Sequence, residues 1–331
     1  MNLAVVGATG IVGETLLRVL EERNVNIGRL GAFASRRYDG GVRYRGQAVD
    51  VQATSGAALA NWDALFFAST QDASTKYAPA LARSGSFIID NSPAFRSDPD
   101  VPLLVPEVNA GAFDARQRIF PVANCTAIIL CVALGPLQRA AGLQSVRVAT
   151  YQAVSGAGRA GLQELEAAQR ASLQGEPEPQ SKVFARPIAQ NVVPQIGEIR
   201  ADGSCAEEIK VCAETRKILD LAGLHIAVTA VRVPVRFVHS AVVFFETQED
   251  ATVDQLAAAL QNAAGVTYYP QGIVTPREVE GTDQVHIARL RAQNGSRKHF
   301  QMWIAGDQLR KGAATNAVQI LELLLQRGLL R

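Results

Sequence analysis

The sequence is poor in the residues that build metal centres and disulfide frameworks. Its 331 residues include four cysteines and four histidines, and no two cysteines form a Cys-x-x-Cys pair. A zinc cluster or a disulfide-stapled fold is therefore not expected, and scattered free cysteines fit a reducing compartment. We predict a cytoplasmic protein without a metal ion.

Long hydrophobic runs and an excess of one charge are also missing. No apolar stretch approaches the roughly 20 residues that cross a bilayer, and the opening MNLAVVGATG lacks the basic start of a signal peptide. The 33 basic and 31 acidic residues leave a net charge of +2, which gives no electrostatic footprint for nucleic acid or an anionic membrane. A small-molecule substrate is expected instead.

What the chain does have is a 48% hydrophobic composition and a length that suits two domains, since single cores rarely exceed roughly 250–300 residues. Before residue 120, short buried strands alternate with helices, which predicts a parallel sheet with helices on both faces. The strands are expected at 2–6, 30–35, 63–69 and 87–92, and the helices at 11–22 and 74–85.

The pattern changes after Cys125. Helices are predicted at 126–142, 162–174, 207–221 and 311–328, and a strand at 145–154. HIAVTAVRVPV and RFVHSAVVFFET are typical of longer antiparallel strands, because polar and apolar residues partly alternate. The proline-rich segment 176–197 is expected to border the substrate site or the dimer surface, and no specific role is assigned to it.

Three glycines in VVGATGIVGETLL stand between the first strand and the first helix. Glycine permits a tight turn and close approach to phosphate oxygens, and the helix start offers free N–H groups to a pyrophosphate. Gly7, Gly10 and Gly13 therefore predict a dinucleotide site, the alternative being an ordinary tight turn.

The end of the second strand indicates which dinucleotide binds. An NAD site usually carries Asp or Glu about 20 residues past the glycines, whereas this chain has Ser35, Arg36 and Arg37. Guanidinium groups bind phosphate bidentately. We predict NADP(H), the alternative being two solvated arginines.

Cys125 in PVANCTAIIL stands at the start of a predicted helix. Helix N-termini stabilise thiolates and lower their pKa. By position alone, a small buried core cysteine is an equal alternative. Cys131, one and a half turns further along, is predicted to belong to the core.

Eight segments occur in the order known from bacterial aspartate-β-semialdehyde dehydrogenases, and the sequence resembles that family along essentially its whole length. The segments are GATGIVG, DNSPAFR, VPEVN, NCTA, YQAVSGAG, EEIK with ETRKI, RVPVRFVHS and GDQLRKGAATNAVQ. The resemblance implies NADPH-dependent reductive dephosphorylation of L-aspartyl-4-phosphate to L-aspartate 4-semialdehyde. That reaction belongs to lysine (diaminopimelate), threonine and methionine biosynthesis, with inorganic phosphate as the second product.

The resemblance also implies a role for each matching residue. Cys125 would form the thioester, His239 would act as acid and base, and Gln152 would orient the substrate carbonyl. Arg232 and Glu207 would bind the substrate's carboxylate and ammonium groups, and Arg96, Lys210 and Asn124 its phosphate. The cofactor would contact Gly7, Thr9, Gly10, Ile11, Val12, Gly13, Ser35, Arg36, Arg37, Ser69, Ser155, Gly156, Gly158 and Asn316.

The expected fold is α/β. A Rossmann-like NADP-binding domain would comprise 1–125 with 307–331, and an α+β catalytic and dimerisation domain of mixed sheet would comprise 126–306. The family resemblance implies a homodimer or homotetramer.

Several alternatives stay open at this point. His239 lies among valines and could be structural, and Arg232 is seven residues away, which puts the two on opposite faces of an unbroken strand. Pro234 makes such a strand doubtful. The rival functions are an N-acyl-γ-glutamyl-phosphate reductase and a non-catalytic NADP-binding paralogue. Glyceraldehyde-3-phosphate dehydrogenase is a weaker rival because SCTTN is absent.

Overall fold

The computed structural model of the chain describes residues 1–330, except for the side chain of Asp39. The strands are β1 Asn2–Val6, β2 Arg29–Ala34, β3 Tyr38–Tyr44, β4 Gln47–Ala53, β5 Ala64–Phe67, β6 Phe87–Asp90, β7 Ile119–Pro121, β8 Leu143–Tyr151, β9 His225–Thr229, β10 His239–Thr247, β11 Val266–Tyr269, β12 Val285–Ala292 and β13 His299–Gly306. The helices are α1 Ile11–Glu22, α2 Gln71–Arg83, α3 Pro106–Asn109, α4 Cys125–Ala141, α5 Gly158–Gln174, α6 Ala206–Leu219, α7 Val253–Gln261, α8 Pro276–Val279 and α9 Thr315–Gln326.

The chain forms two compact units. The first comprises Met1–Asn124 and the C-terminal stretch from Ala313, and the second is Cys125–Gly312. The predicted roles of 1–125 with 307–331 and of 126–306 stay predictions.

The first unit is built on a sheet with the order β3-β4-β2-β1-β5-β6-β7. All neighbouring strands are parallel except β3 and β4. Every side chain of β5 and of Ile88–Ile89 in β6 is inaccessible to solvent, as expected for central strands covered on both faces. The predicted parallel sheet is confirmed.

Helix α1 begins and ends at the predicted residues. Its buried face carries Leu16, Leu17, Val19 and Leu20, which recur at helical spacing. The last helix, α9, packs against α1 and β6, and Arg23 pairs with Glu322 at 2.7 Å.

The β3–β4 hairpin was not predicted. Its sequence, YDGGVRYRGQAVDVQA, is rich in glycine and charge, and most described residues of both strands are exposed or half-buried. Such strands at a sheet edge bury little apolar surface, so they lack the hydrophobic pattern by which strands are recognised.

The second unit contains a mixed sheet with the order β11-β12-β13-β10-β8-β9. Helices α4, α6 and α7 cover one face. In β8, Val146, Val148 and Thr150 are buried on that face and alternate with the exposed Arg147 and Tyr151. The predicted α+β arrangement is confirmed.

One strand prediction is wrong. HIAVT forms β9, but it pairs parallel to β8 and ends at Thr229. Residues 230–238 form no regular strand, because Pro234 lacks a backbone donor and the chain turns at Val238, whose φ is +74°. Strand β10 then starts at His239, antiparallel to β8 and β13. Because residues 230–238 are irregular, their side chains do not have to alternate between two faces as they would in a strand.

Among the described residues 1–330, none of the helices combines the length and the apolar character that a membrane crossing requires.

Candidate active site

Cys125 is the first residue of α4, and its side chain is partly exposed. A Cβ added to Gly312 would lie 3.0 Å from the Cys125 Cβ, so the glycine lets the chain pass directly beside the thiol. Thiolates at helix starts are stabilised by the helix dipole. Cys131 is wholly buried, and burial raises the pKa of its thiol, which confirms that it belongs to the core.

Gln152 is held in one orientation by two buried neighbours. The Thr150 hydroxyl donates to its Oε1 at 3.1 Å, and its Nε2 donates to Glu207 Oε1 at 3.1 Å. The Val231 N–H donates to Thr150 Oγ1 at 3.1 Å, so the hydroxyl proton is left for Gln152. The second N–H of the Gln152 amide is therefore available to a substrate oxygen.

Arg232 is buried beside these groups and donates from Nη1 to the Ala153 carbonyl at 2.6 Å. Burial lowers the pKa of Arg232, and the charges of Cys125 and Glu207 oppose that effect. A carboxylate ligand would relieve the same desolvation, because a buried guanidinium gains most from a paired anion.

His239 is held by the backbone of Ala153, the residue whose carbonyl also binds Arg232. The Ala153 N–H donates to His239 Nδ1 at 3.1 Å, so the neutral ring carries its proton on Nε2. Burial, and then the positive charge of Arg232, hold the pKa of His239 well below its usual range. The histidine is therefore neutral at pH 7.

Gly156 shows that Arg232 and His239 converge. A Cβ built on this glycine would lie 2.9 Å from Arg232 Nη1 and 3.1 Å from His239 Nε2. The break in residues 230–238 thus turns both side chains toward one space, which strand spacing alone could not predict.

Of the other predicted residues of this loop, Ser155 is buried and Gly158 is half-buried. The Ser155 hydroxyl donates to the Arg236 carbonyl and accepts from Gln308 Nε2. Gly158 begins α5 with a φ of +77°. Gln308, which sequence reasoning did not single out, also accepts from the Val238 N–H at 2.8 Å and so fixes the turn before His239.

The predicted phosphate ligands are distributed over both units. Asn124 is buried and Arg96 is half-buried in the first unit, where Arg96 donates to the Asn91 carbonyl at 2.7 Å. Lys210 is exposed on α6, one turn after the buried Glu207.

A cleft of about 470 Å³ opens in the first unit where the strand order turns at β1, the usual place for a nucleotide. Gly7 has a φ of +87°, and a Cβ there would collide with the Ala68 carbonyl. These features fit a bound dinucleotide. The lining residues are Val6, Gly7, Thr9, Gly10, Ala34, Ser35, Thr54, Ala68, Ser69, Thr70, Asp72, Ala73, Lys76 and Tyr77.

The remaining cofactor candidates lie around or away from this cleft. Ile11, Val12 and Gly13 form the first turn of α1. Arg36 and Arg37 are exposed just past Ser35, outside the lining of the cleft. Asn316 is wholly buried in α9, and its amide donates to the Leu104 carbonyl at 2.8 Å.

Within residues 1–330, no group of three or more His, Cys, Asp or Glu side chains could hold a metal ion. Sequence reasoning missed Thr150 and Phe184, whose ring centroid lies 5.8 Å from the Arg232 guanidinium carbon. Thr150 lies on an ordinary strand and Phe184 in an irregular loop, so neither position carried a signal.

Comparison with known proteins identifies the family. Residues 2–116 match the model of the semialdehyde dehydrogenase NAD binding domain, and residues 134–311 match that of the semialdehyde dehydrogenase dimerisation domain. The chain is 40% identical to aspartate-semialdehyde dehydrogenase of Aquifex aeolicus, over 99% of each chain. It is 37% identical to that of Bacillus subtilis, again over 99% of each.

Solved structures agree. The crystal structure of aspartate semialdehyde dehydrogenase II from Vibrio cholerae has a TM-score of 0.91 and 37% identity, covering 98% of each chain. The same enzyme complexed with ASA has a TM-score of 0.91 and 36% identity, also over 98% of each chain. The fold and the two matched domains are those of a semialdehyde dehydrogenase with a nicotinamide-dinucleotide-binding domain. The chain belongs to the aspartate-semialdehyde dehydrogenase family.

Proposed function

We propose that the chain reduces L-aspartyl-4-phosphate to L-aspartate 4-semialdehyde and phosphate, using NADPH and a thioester on Cys125. The observation that carries this proposal is the arrangement of groups in the second unit: Gln152 is bonded to Glu207, and Arg232 and His239 converge beneath Gly156. The ASA complex of the similar Vibrio cholerae enzyme supports the semialdehyde as substrate.

The first step forms a carbon–sulfur bond. The Cys125 thiolate attacks the acyl carbon, the carbon–oxygen bond to phosphate breaks, and phosphate leaves with the electron pair. The second N–H of the Gln152 amide would stabilise the oxyanion. When bound, NADPH supplies the hydride that reduces the thioester.

The second step returns the thiolate. His239, whose neutral ring carries its proton on Nε2, donates a hydrogen bond to the oxyanion that hydride transfer would leave on the thioester carbon, and this oxyanion reforms the carbonyl as the carbon–sulfur bond breaks, so no proton has to be removed. The aldehyde leaves and Cys125 is again a thiolate. Arg232 and Glu207 hold the α-carboxylate and α-ammonium groups during both steps.

Glu207 favours the aspartyl substrate over an N-acylated one. Its buried carboxylate, which accepts a hydrogen bond from Gln152 Nε2, brings a negative charge to the site, and an opposite charge is attracted to it more strongly than a neutral group. A free α-ammonium group provides that opposite charge, whereas an acylated amine carries no charge. We assign phosphate binding to Arg96, Asn124 and Lys210 on the family resemblance.

NADP is the proposed cofactor because the end of β2 offers Ser35, Arg36 and Arg37 to a 2′-phosphate, and no carboxylate stands at those positions. The residues present fit this group: Gly7 and Gly10 line the cleft in a turn that has no space for a Cβ at Gly7, and the start of α1 lies directly behind them.

A homodimer is proposed through the face of the second sheet that α4, α6 and α7 leave uncovered. Over β8 and β10 this face presents Tyr151 and Phe244, which are 39% and 37% exposed. Tyr151 packs against Trp303 of β13 with ring centroids 5.7 Å apart. The matched dimerisation domain covers this sheet, so a second copy of the chain is the expected partner.

The test runs the reaction in the oxidative direction, with L-aspartate 4-semialdehyde, inorganic phosphate and NADP, and follows NADPH absorbance. We expect phosphate-dependent NADPH formation, weaker turnover with NAD, and a loss of at least about 1,000-fold in Cys125→Ala. Cys212→Ala is the matched control, since Cys212 is the other partly exposed cysteine.

Folded, NADP-binding protein that turns over only an N-acyl-γ-glutamyl semialdehyde would overturn the substrate. No turnover of either aldehyde would indicate a non-catalytic paralogue. Equal rates for NAD and NADP would overturn the cofactor preference alone.

A further inference from the structure

The proline-rich loop after α5 is anchored by one carboxylate. Glu164 of α5 accepts hydrogen bonds from the backbone N–H groups of Lys182, Val183 and Phe184, at 2.8, 2.7 and 3.4 Å. Within the described part of the chain, the backbone of residues 177–186 forms no other hydrogen bond to the rest of the unit. The ionised carboxylate, as an acceptor of several N–H groups, thus fixes an otherwise irregular segment.

The anchored segment carries an aromatic ring to the substrate-binding arginine. The Phe184 ring lies against α5, where a Cβ on Gly161 would come within 3.1 Å of Phe184 Cζ. On its other side the ring centroid is 5.8 Å from the guanidinium carbon of Arg232, within the range of a cation–π contact. Phe184 is half-buried.

We propose that Phe184 forms the wall of the substrate site beside Arg232, and that Glu164 is the positioning residue that holds this wall in place. The inference rests on the proposed function, because Arg232 is taken to bind the α-carboxylate. An aromatic ring there excludes water from the guanidinium, and a carboxylate pairs more strongly with a partly dehydrated cation. The same ring occupies the space that a bulkier group on that side of the substrate would need.

The arrangement gives a role to two residues: Glu164 on α5 anchors the loop, and Phe184 is the third loop residue whose N–H it binds. Glu166, two residues along the same helix, instead forms an exposed ion pair with Arg236 at 3.0 Å. Exposed pairs of this kind contribute little, so Glu166 provides a matched control for the removal of a carboxylate from α5.

The first measurement is steady-state kinetics with L-aspartate 4-semialdehyde as the varied substrate. Phe184→Ala and Glu164→Ala should each raise its KM about 3- to 10-fold, the worth of one cation–π contact, with kcat within about 2-fold. The double variant should be no worse than the more affected single variant, because both changes remove the same wall. Glu166→Ala should stay within about 2-fold of the wild type.

The second measurement does not depend on activity. Trypsin cleaves after Lys182, an exposed residue whose own N–H is held by Glu164. We expect cleavage there to accelerate at least about 5-fold in Glu164→Ala and to stay unchanged in Glu166→Ala.

Unchanged KM in Phe184→Ala, or additive effects in the double variant, would overturn the wall. Unchanged cleavage in Glu164→Ala would overturn the anchor. A wild-type protein that is folded and resists trypsin at Lys182 but does not turn over the semialdehyde would overturn the proposed function, and the wall with it. The cleavage rates would still decide whether Glu164 anchors the loop.

Discussion

At the scale of single residues, one hydroxyl links two parts of the candidate active site. Thr150 donates to Gln152 and accepts from the N–H of Val231, the neighbour of Arg232. It therefore sets the amide orientation of Gln152 and ties the segment that carries Arg232 to β8. Because Thr150 is wholly buried, it acts only through these neighbours.

Thr150→Val keeps the shape of the side chain and removes both hydrogen bonds. We expect kcat/KM for the semialdehyde to fall about 10- to 100-fold, because a buried N–H is left unpaired and the Gln152 amide can rotate. Steady-state kinetics measures the change. Thr150→Ser retains the hydroxyl and should recover most of the activity; equal losses in the two variants would mean that packing, not the hydrogen bonds, is what Thr150 supplies.

The buried His239 makes stability depend on pH. Its pKa in the folded state is lowered, first by burial and then by Arg232, so below about pH 6.5 the unfolded chain takes up a proton that the folded chain refuses. The free energy of unfolding should therefore be unaffected above pH 6.5 and fall below it, by up to about 1.4 kcal/mol per pH unit.

Urea denaturation at pH 7.5, 6.5 and 5.5 measures this slope. In His239→Gln the slope below pH 6.5 should become shallower, while the effect of His286, whose pKa is also lowered by burial, is common to both proteins. Identical slopes in the two proteins would show that His239 does not titrate as its burial requires.

At the scale of elements, the helices and strands that could be predicted from the sequence are those with a clear local pattern of apolar residues. Helix α1 and strands β1, β5 and β6 have strong apolar periodicity or continuous apolar runs. The β3–β4 hairpin is local, but its exposed edge strands lack an apolar pattern. The parallel pairing of β9 with β8 depends on a neighbour far along the chain, so no local pattern contains it.

The candidate site follows the same rule. Cys125 could be placed from its helix, because the helix start is a local feature. The meeting of Arg232 and His239 could not, because it depends on the irregular course of residues 230–238 and on the turn at Val238. The motif resemblance supplied their roles, while only the fold supplies their convergence.

The turn between β1 and α1 can be tested with two glycines that share a positive φ. Gly7 has φ +87° and no space for a Cβ, whereas Gly85 has φ +105° and nothing within 4 Å of an added Cβ. Gly85→Ala should lose only about 1 kcal/mol of unfolding free energy, from backbone strain. Gly7→Ala should lose more and should also weaken NADP binding at least about 10-fold, because Ala68 must shift to make room.

Urea denaturation and NADP titration by fluorescence separate the two effects. If Gly7→Ala bound NADP like the wild type while remaining folded, the cleft beside Gly7 would not be the dinucleotide site. Weakened binding in Gly85→Ala would point instead to a general loss of folding.

At the scale of the whole molecule, the uncovered face of the second sheet is the proposed contact between copies of the chain. Phe244 lies near the middle of β10, with Arg147 of β8 and Gln301 of β13 directly opposite it, so a partner would bury it at the centre of the contact. Aromatic residues in that position carry most of the free energy of an interface, and an unpaired charge there is costly.

Phe244→Asp should therefore raise the dissociation constant of the dimer at least about 100-fold, giving a single-chain mass in sedimentation velocity where the wild type gives two or four chains. Leu173→Asp is the matched control, because Leu173 is 89% exposed near the end of α5 and belongs to none of the strands of this sheet. Circular dichroism should show both variants folded.

A Phe244→Asp protein that still sediments as the wild type does would show that the interface lies on another surface. Dissociation of Leu173→Asp would show that the interface includes the end of α5. Because this face lies opposite the one covered by α4, whose first residue is Cys125, a monomeric variant that retains kcat would also show that each chain holds a complete set of catalytic residues.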